Sequence, residues 1–381
     1  MNDFMYYNPT KIEFGKTKEN KIGQYIKESN IKKVLLVTGT GSIKKNGLYE
    51  KIISSLNKYN IEYEEIDGVV SNPLLSRVND GIKIAKEHKI EAVLGVGGGS
   101  VADSAKAIAV GAKYEGDVWD FFINKVQITE ALPVFTVMTL AATASEMNGN
   151  SVVMNDETQQ KYSIASVLVN PVVSVINPEL MATVSQEYLA YSAVDIIAHS
   201  IEVYFTATDH PNFNSRIVES IIKTVIETTE ALLENPNDYD ARAEFAWVAI
   251  QALNGLTPAG TAGGSFPNHM IEHALSAIYN VAHGAGLAVV IPAWMKWHKE
   301  QNIKQYTRFA KEIFNENDAD KGIELLEAWF AKIGAPVTLQ MINIPREGIK
   351  ALATNANALA GLWGMDEAYS VETIIDILEK A

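Results

Sequence analysis

Residues 34 to 38, Val-Leu-Leu-Val-Thr, run straight into Gly39-Thr40-Gly41-Ser42, and a helical apolar spacing follows at Leu48, Ile52, Ile53 and Leu56. A short β-rich run without polar alternation reads as a strand buried on both faces, and such a strand needs helices above and below it. The unit recurs. Ile61 to Ile66 reads as a second strand, Asn72-Pro73 as a turn, and Val78, Ile82 and Ala85 as one face of a helix. Ala92 to Val96 is a third strand that runs into Gly97-Gly98-Gly99-Ser100 and a helix from Ala102 to Val110. Strand, crossover helix and strand at this rhythm predict an α/β domain built on a parallel sheet. Pro133 to Met138 adds a strand, and Ser151–Met154 and Tyr162–Ala165 form a hairpin across the polar turn 155–160.

The character changes after Pro178. From about Ser185 long segments carry helical periodicity, so two domains are predicted: a dinucleotide-binding α/β domain over 1–184 and an all-α domain over 185–381 that holds metal and substrate. Two domains suit 381 residues, taking one per ~150 as a rough guide. The 32 basic and 46 acidic residues leave a net charge of −14, which argues against nucleic acid or an anionic membrane surface as partner. The chain has no cysteine, which removes disulfides, thiolate nucleophiles and thiolate metal sites together. The first residues lack the basic-then-apolar order of a secretory leader, and the apolar stretch from Ala285 to Met295 is shorter than the ~18–20 residues that span a bilayer. A cytoplasmic protein is expected.

Three of the seven histidines, His269, His273 and His283, fall in one apolar helical region. Asp195 and His199 are four apart within an equally apolar run, which stacks both side chains on one face of a helix. His269 and His273 repeat that spacing, and His283 follows beside Gly284 and Gly286, where a helix is expected to end or bend. One Asp and three His can supply an O,N,N,N shell for a divalent metal with a position left open; buried hydrogen-bonded pairs would give the same spacing. The tetrad Gly97 to Ser100 places free N–H groups at a helix start, where an anion such as pyrophosphate binds, although glycines also serve strand-to-helix packing there. The stretch Thr139 to Glu146, rich in small and hydroxyl residues, follows another strand end and can line the same crevice. Trp247, Phe266, Trp294 and Trp363 either line an apolar pocket or fill core.

GGGSVADSAK at 97–106, TLAATASEMN at 139–148, VDIIAHSIEVY at 194–204 and HMIEH…VAHGAGLAVVIP over 269–292 together resemble the iron-containing (group III) alcohol dehydrogenases, and within them the butanol dehydrogenase and NADPH-dependent aldehyde reductase branch. The resemblance implies that Asp195, His199, His269 and His283 are ligands to Fe²⁺ or Zn²⁺, with His273 a non-ligand that relays a proton. It makes Gly97, Gly98, Gly99 and Ser100 the pyrophosphate loop, brings Asn72, Thr139, Leu140 and Lys161 to the cofactor, and sets Asn150 near the nicotinamide. Ala142 and Ala144 stand where the family carries glycine; alanine is strained wherever φ must be positive. NAD-preferring members carry a carboxylate after the first strand, whereas this chain has Gly39, with Ser42, Lys44 and Lys45 available to a 2′-phosphate. NADP(H) is therefore expected over NAD(H). The implied enzyme exchanges hydride with a small primary aldehyde or alcohol and works as a homodimer. A polyol (glycerol-type) dehydrogenase and a non-catalytic nucleotide-binding protein are the alternatives. A dehydroquinate-synthase-like lyase fits poorly, because residues 240–300 offer only Arg242, Lys296 and Lys299 to an acidic substrate.

Overall fold

The computed structural model describes all 381 residues. It divides into two compact units, Tyr7–Thr183 and Val184–Ala381, the second also taking in Met1–Tyr6.

The first unit is an α/β layer structure. Its sheet has six strands in the order β1–β8–β5–β4–β2–β3, where β1 is Lys11–Phe14, β2 Lys33–Gly39, β3 Glu62–Val69, β4 Ala92–Gly97, β5 Val134–Met138 and β8 Val173–Ile176. Every pairing is parallel. The central strands β4 and β5 are buried along their whole length, as continuous apolar runs in a covered sheet must be. The chain leaves β2 toward β3 and leaves β4 toward β5, so the direction of winding reverses between β2 and β4. Open α/β sheets bind ligands at the carboxyl ends of strands at such a reversal, which here means Gly39 on one side and Gly97 on the other. The hairpin of β6 (Asn150–Asn155) and β7 (Gln160–Ala165) forms its own antiparallel sheet. The helix Gly99–Gly111 is buried at every residue except Ser100, and its alanines let it press onto β4.

The second unit is helical apart from a two-stranded ribbon, Ala207–Asp209 with Ala262–Gly263. Three of its helices matter for the site: Gln186–Thr206, Pro267–Tyr279 and His283–His298. Ser185 caps the first by accepting the Tyr188 amide, and Pro267 opens the second with a fixed φ and no amide to satisfy. Asn280, at φ 51, ends the second helix, and His283 then opens the third, so the chain starts a helix at His283 instead of ending one there. No helix in either unit is long and apolar enough to cross a membrane.

The first six residues differ from the sequence reading, which placed them with the α/β domain. The Asn2 amide donates to the Gly260 carbonyl at 2.9 Å and its side chain to Asp209 at 2.9 Å, tying the segment to the helical unit. A partner some 200 residues away leaves no local pattern.

Candidate metal centre and dinucleotide turn

Asp195 and His199 project from one face of the helix Gln186–Thr206, as i, i+4 spacing requires. The Asp195 Oδ1 atom lies 3.5 Å from His199 Nε2, 3.8 Å from His269 Nε2 and 3.6 Å from His283 Nε2. These separations exceed a hydrogen bond. They match the ~3.4 Å edge of a tetrahedron whose ligands stand ~2.1 Å from a central ion. Asp195 Oδ1 and His269 Nε2 are buried without any hydrogen-bond partner. His283 is the exception to burial: its side chain is 24% exposed against 8% or less for the other three, so the group opens on that side.

Two glutamates explain the orientation of the rings. Glu202, seven residues past Asp195 on the same helix, accepts His269 Nδ1 at 2.8 Å, the His269 amide at 3.0 Å and Asn268 Nδ2 at 2.9 Å. It thereby caps the start of the helix Pro267–Tyr279 and leaves the lone pair of His269 on Nε2, facing Asp195. Glu272 does the same for His283, accepting its Nδ1 along with the Ser276 hydroxyl. Both carboxylates are fully buried. Gly284 allows the third helix to reach the site, since a Cβ there would fall 2.2 Å from the Tyr191 carbonyl of the first.

Lone pairs facing a carboxylate repel unless a positive charge stands between them. The field of the site shows the same demand. Burial alone would lower the His269 imidazole, but Asp195 and Glu202 raise it to about 9. Burial alone would raise the Asp195 carboxyl, yet the His199, His269 and His283 rings hold it well below the usual carboxylate range. The donor set, the orphaned atoms and the spacing therefore fit a divalent cation of the first transition row.

His273 lies one turn beyond His269, buried, with its ring 5.8 Å from that of His283 and 5.9 Å from that of Trp363. Its ring nitrogen clusters with Glu272 and His283, apart from the cluster of Asp195, His199 and His269, and His283 links the two because its Nε2 lies 3.6 Å from Asp195 Oδ1. The remaining histidines sit elsewhere: His88 on Glu64, His210 on Asn302 and His298 stacked on Trp294. Of the aromatic candidates, Trp294 is core and bonded to Tyr369, and Trp247 is exposed. Phe266 and Trp363 stand edge-on to His269 and His273.

In the α/β unit the glycine tetrad closes β4 and opens the helix Gly99–Gly111, and no side chain caps its first turn. Thr139 donates its amide to Gly97 at 2.9 Å, and Leu140 is the nearest neighbour above Gly98. Gly99 has no room for a side chain, because a Cβ would meet Thr143 Oγ1 at 2.5 Å. Gly97 to Ser100, Thr139 and Leu140 are thus one neighbourhood. Gly39 ends the adjacent strand β2, and Ser42, Lys44 and Lys45 follow it. Asn72 is buried in the segment that meets β6, where the Met154 amide bonds to the Pro73 carbonyl. Asn150 begins β6, and Lys161 is buried in β7 opposite Met154. Ala144 does adopt the left-handed region, at φ 52, as its place opposite a family glycine implied. Ala142 does not, so only one of the two alanines is strained.

Sequence reasoning missed Glu202 and Glu272 as supporting groups. Their signal was present: Glu202 shares a helix face with Asp195 and His199, and Glu272 lies three residues past His269.

Comparison with known proteins agrees with this geometry. The profile for iron-containing alcohol dehydrogenases matches residues 9–178, and that for the C-terminal region of the same family matches residues 189–381. The chain is 40% identical to the probable NADH-dependent butanol dehydrogenase 1 of Bacillus subtilis over the full length of both. It is 31% identical to the NADPH-dependent aldehyde reductase YqhD of Escherichia coli over 92% of each. The crystal structure of the NADH-dependent butanol dehydrogenase A from Thermotoga maritima superposes with a TM-score of 0.98 at 47% identity, covering 100% of this chain and 99% of that one. With both halves matched and the buried Asp/His group in place, the chain belongs to the iron-containing alcohol dehydrogenase family and is an NAD(P)-dependent oxidoreductase of its butanol dehydrogenase and aldehyde reductase branch.

Proposed function

We propose that this enzyme reduces small primary aldehydes, and oxidises the corresponding alcohols, with Asp195, His199, His269 and His283 holding one Fe²⁺ or Zn²⁺ ion. The observation that carries the reading is the convergence of three imidazole Nε2 atoms on one orphaned carboxylate oxygen at 3.5–3.8 Å. A divalent cation bound there supplies Lewis-acid polarisation of a carbonyl oxygen. A bound nicotinamide would supply the hydride for the carbonyl carbon, and His273, buried beside the His283 ring, would hold and deliver the proton that the oxygen takes up. Glu202 and Glu272 keep the Nε2 lone pairs aimed inward throughout. Phe266 and Trp363 give the surroundings of His269 and His273 an apolar character that suits an alkyl chain.

The dinucleotide belongs at the winding reversal of the sheet, its pyrophosphate on Gly97 to Ser100, with Thr139, Leu140, Asn150, Lys161 and Asn72 around it. NADP(H) is the proposed carrier, because Gly39 presents no carboxylate to repel a 2′-phosphate, and Ser42, Lys44 and Lys45 are exposed donors beside it. A preference for NADH is the second reading. The butanol dehydrogenases of Bacillus subtilis carry that description, and the Lys44 ammonium lies 3.6 Å from Asp67, which engages one of the two lysines. A homodimer is the proposed assembly, and the exposed apolar side chains Phe4, Met5 and Tyr6 of the helical unit favour it.

Initial rates of NADPH and NADH oxidation by the metal-loaded enzyme, over unbranched aldehydes of increasing length, test both levels. Turnover that rises with chain length up to about that of butanal supports the reaction class, and the ratio of kcat/KM between the two nucleotides assigns the carrier. An enzyme with stoichiometric metal that oxidises neither nucleotide with any aldehyde overturns the proposal.

A further inference from the structure

The helix Gly99–Gly111 begins at the glycine turn and carries Asp103 and Lys106 on one face, three residues apart. Lys106 has no exposed surface. A buried ammonium costs several kcal/mol unless its donors are met. Its partners are all on one short segment: the Asn148 carbonyl at 2.9 Å, Asn148 Oδ1 at 3.1 Å and the Asn150 carbonyl at 2.7 Å. Asp103 binds the same segment from the next turn. It accepts Ser145 Oγ at 2.7 Å and the Val152 amide at 3.1 Å, and its carbonyl takes Ser151 Oγ at 2.8 Å. Six hydrogen bonds thus run from two adjacent side chains and one carbonyl of this helix to residues 145–152.

Apolar packing would hold these elements together but tolerate sliding; directed bonds to a buried charge fix one register. The segment so fixed connects Thr139 and Leu140, at the glycine turn, to Asn150 and the hairpin that bears Lys161. We infer that Asp103 and Lys106 are positioning residues for the nicotinamide cofactor, locking the 145–152 segment to the glycine turn so that both sides of the dinucleotide site are set before the nucleotide arrives. The inference rests on the reading that the dinucleotide binds at Gly97 to Ser100.

Lys106→Met keeps the shape of the side chain and removes its three bonds. In the metal-loaded enzyme we expect KM and Kd for NADPH or NADH to rise about tenfold or more, with aldehyde KM, kcat and metal content changed by no more than about twofold. Ser145→Ala, which deletes one bond and leaves the ammonium satisfied, should raise the same two constants about threefold, and it carries the test if Lys106→Met does not fold. A cofactor KM and Kd within about twofold of the parent in the folded variants, whatever happens to Tm, assigns a merely structural role and overturns the inference. Failure of the underlying reading has a different signature: the parent enzyme itself would quench neither nucleotide's fluorescence on titration.

Discussion

Both units bury ionisable side chains at the place where sequence reasoning put chemistry, and they do it in opposite ways. In the helical unit Asp195, His199, His269 and His283 turn acceptor atoms on one another, and two of those atoms have no hydrogen-bond partner at all. In the α/β unit Lys106 donates to the Asn148 and Asn150 carbonyls and Asp103 accepts from Ser145 and Val152, so both of these buried charges are met by the 145–152 segment. Buried polar atoms are costly when orphaned, so the first pattern persists only where something absent from the chain completes it. The second completes itself. A buried cluster with inward-facing lone pairs marks a ligand, and a buried cluster with paired donors marks the frame that holds a ligand's site.

The contrast breaks if the helical cluster survives without metal chemistry. Asp195→Ala should abolish stoichiometric metal and lower turnover about a thousandfold or more, read by elemental analysis and NADPH oxidation on the same preparation. His273→Ala should keep the metal and lose about a hundredfold to ten-thousandfold in kcat, the usual worth of a positioned proton donor. Metal lost from the His273 variant in step with activity would move that residue into the ligand set.

A smaller effect sharpens the role of the supporting carboxylates. Glu272→Gln preserves an acceptor for His283 Nδ1 but removes the charge behind it, so metal affinity should fall about tenfold to a hundredfold while the fold and the cofactor Kd stay as they were. Glu202→Gln should cost at least as much, since Glu202 accepts from three donors and an amide cannot accept on both sides. Competition with a chelator of known affinity measures both. Equal affinity in all three proteins would reduce Glu202 to a helix cap and Glu272 to a structural acceptor.

The two glutamates also mark the limit of what the sequence shows. Spacing alone paired Asp195 with His199 and His269 with His273, because i, i+4 periodicity and apolar flanks are local facts. The same periodicity set Glu202 and Glu272 on the right faces, but a glutamate three residues from a histidine on a helix usually faces water, and only the crossing of three helices turns these inward. The strands were legible because a covered parallel sheet demands unbroken apolar runs such as Val34 to Thr38. The ties from Asp103 and Lys106 were not, since their partners lie some 40 residues on and depend on how the segment after β5 folds back. Ala144 shows a local rule holding under strain: the position kept its left-handed backbone although the residue there is not glycine.

Glu146 is the exception inside the self-completing half, and it offers the finest test. It is fully buried between Ser145 and Met147, and neither carboxylate oxygen has a hydrogen-bond partner. Burial pushes its carboxyl up to about 7, with Asp103 adding to the rise and Lys106 opposing it. A raised value means that the folded chain holds this proton more tightly than the unfolded one. Stability from Glu146 is therefore fully present below its ordinary value of 4.5 and is lost as pH climbs to about 7, beyond which the penalty is constant. Its ceiling is about 3 kcal/mol. Glu146→Gln is neutral at every pH, so it should match the parent in urea unfolding at pH 4.5 and exceed it at pH 8, by up to that ceiling. A difference that does not change with pH would mean that the carboxyl stays charged and partnered, and the contrast between the two units would then hold without exception.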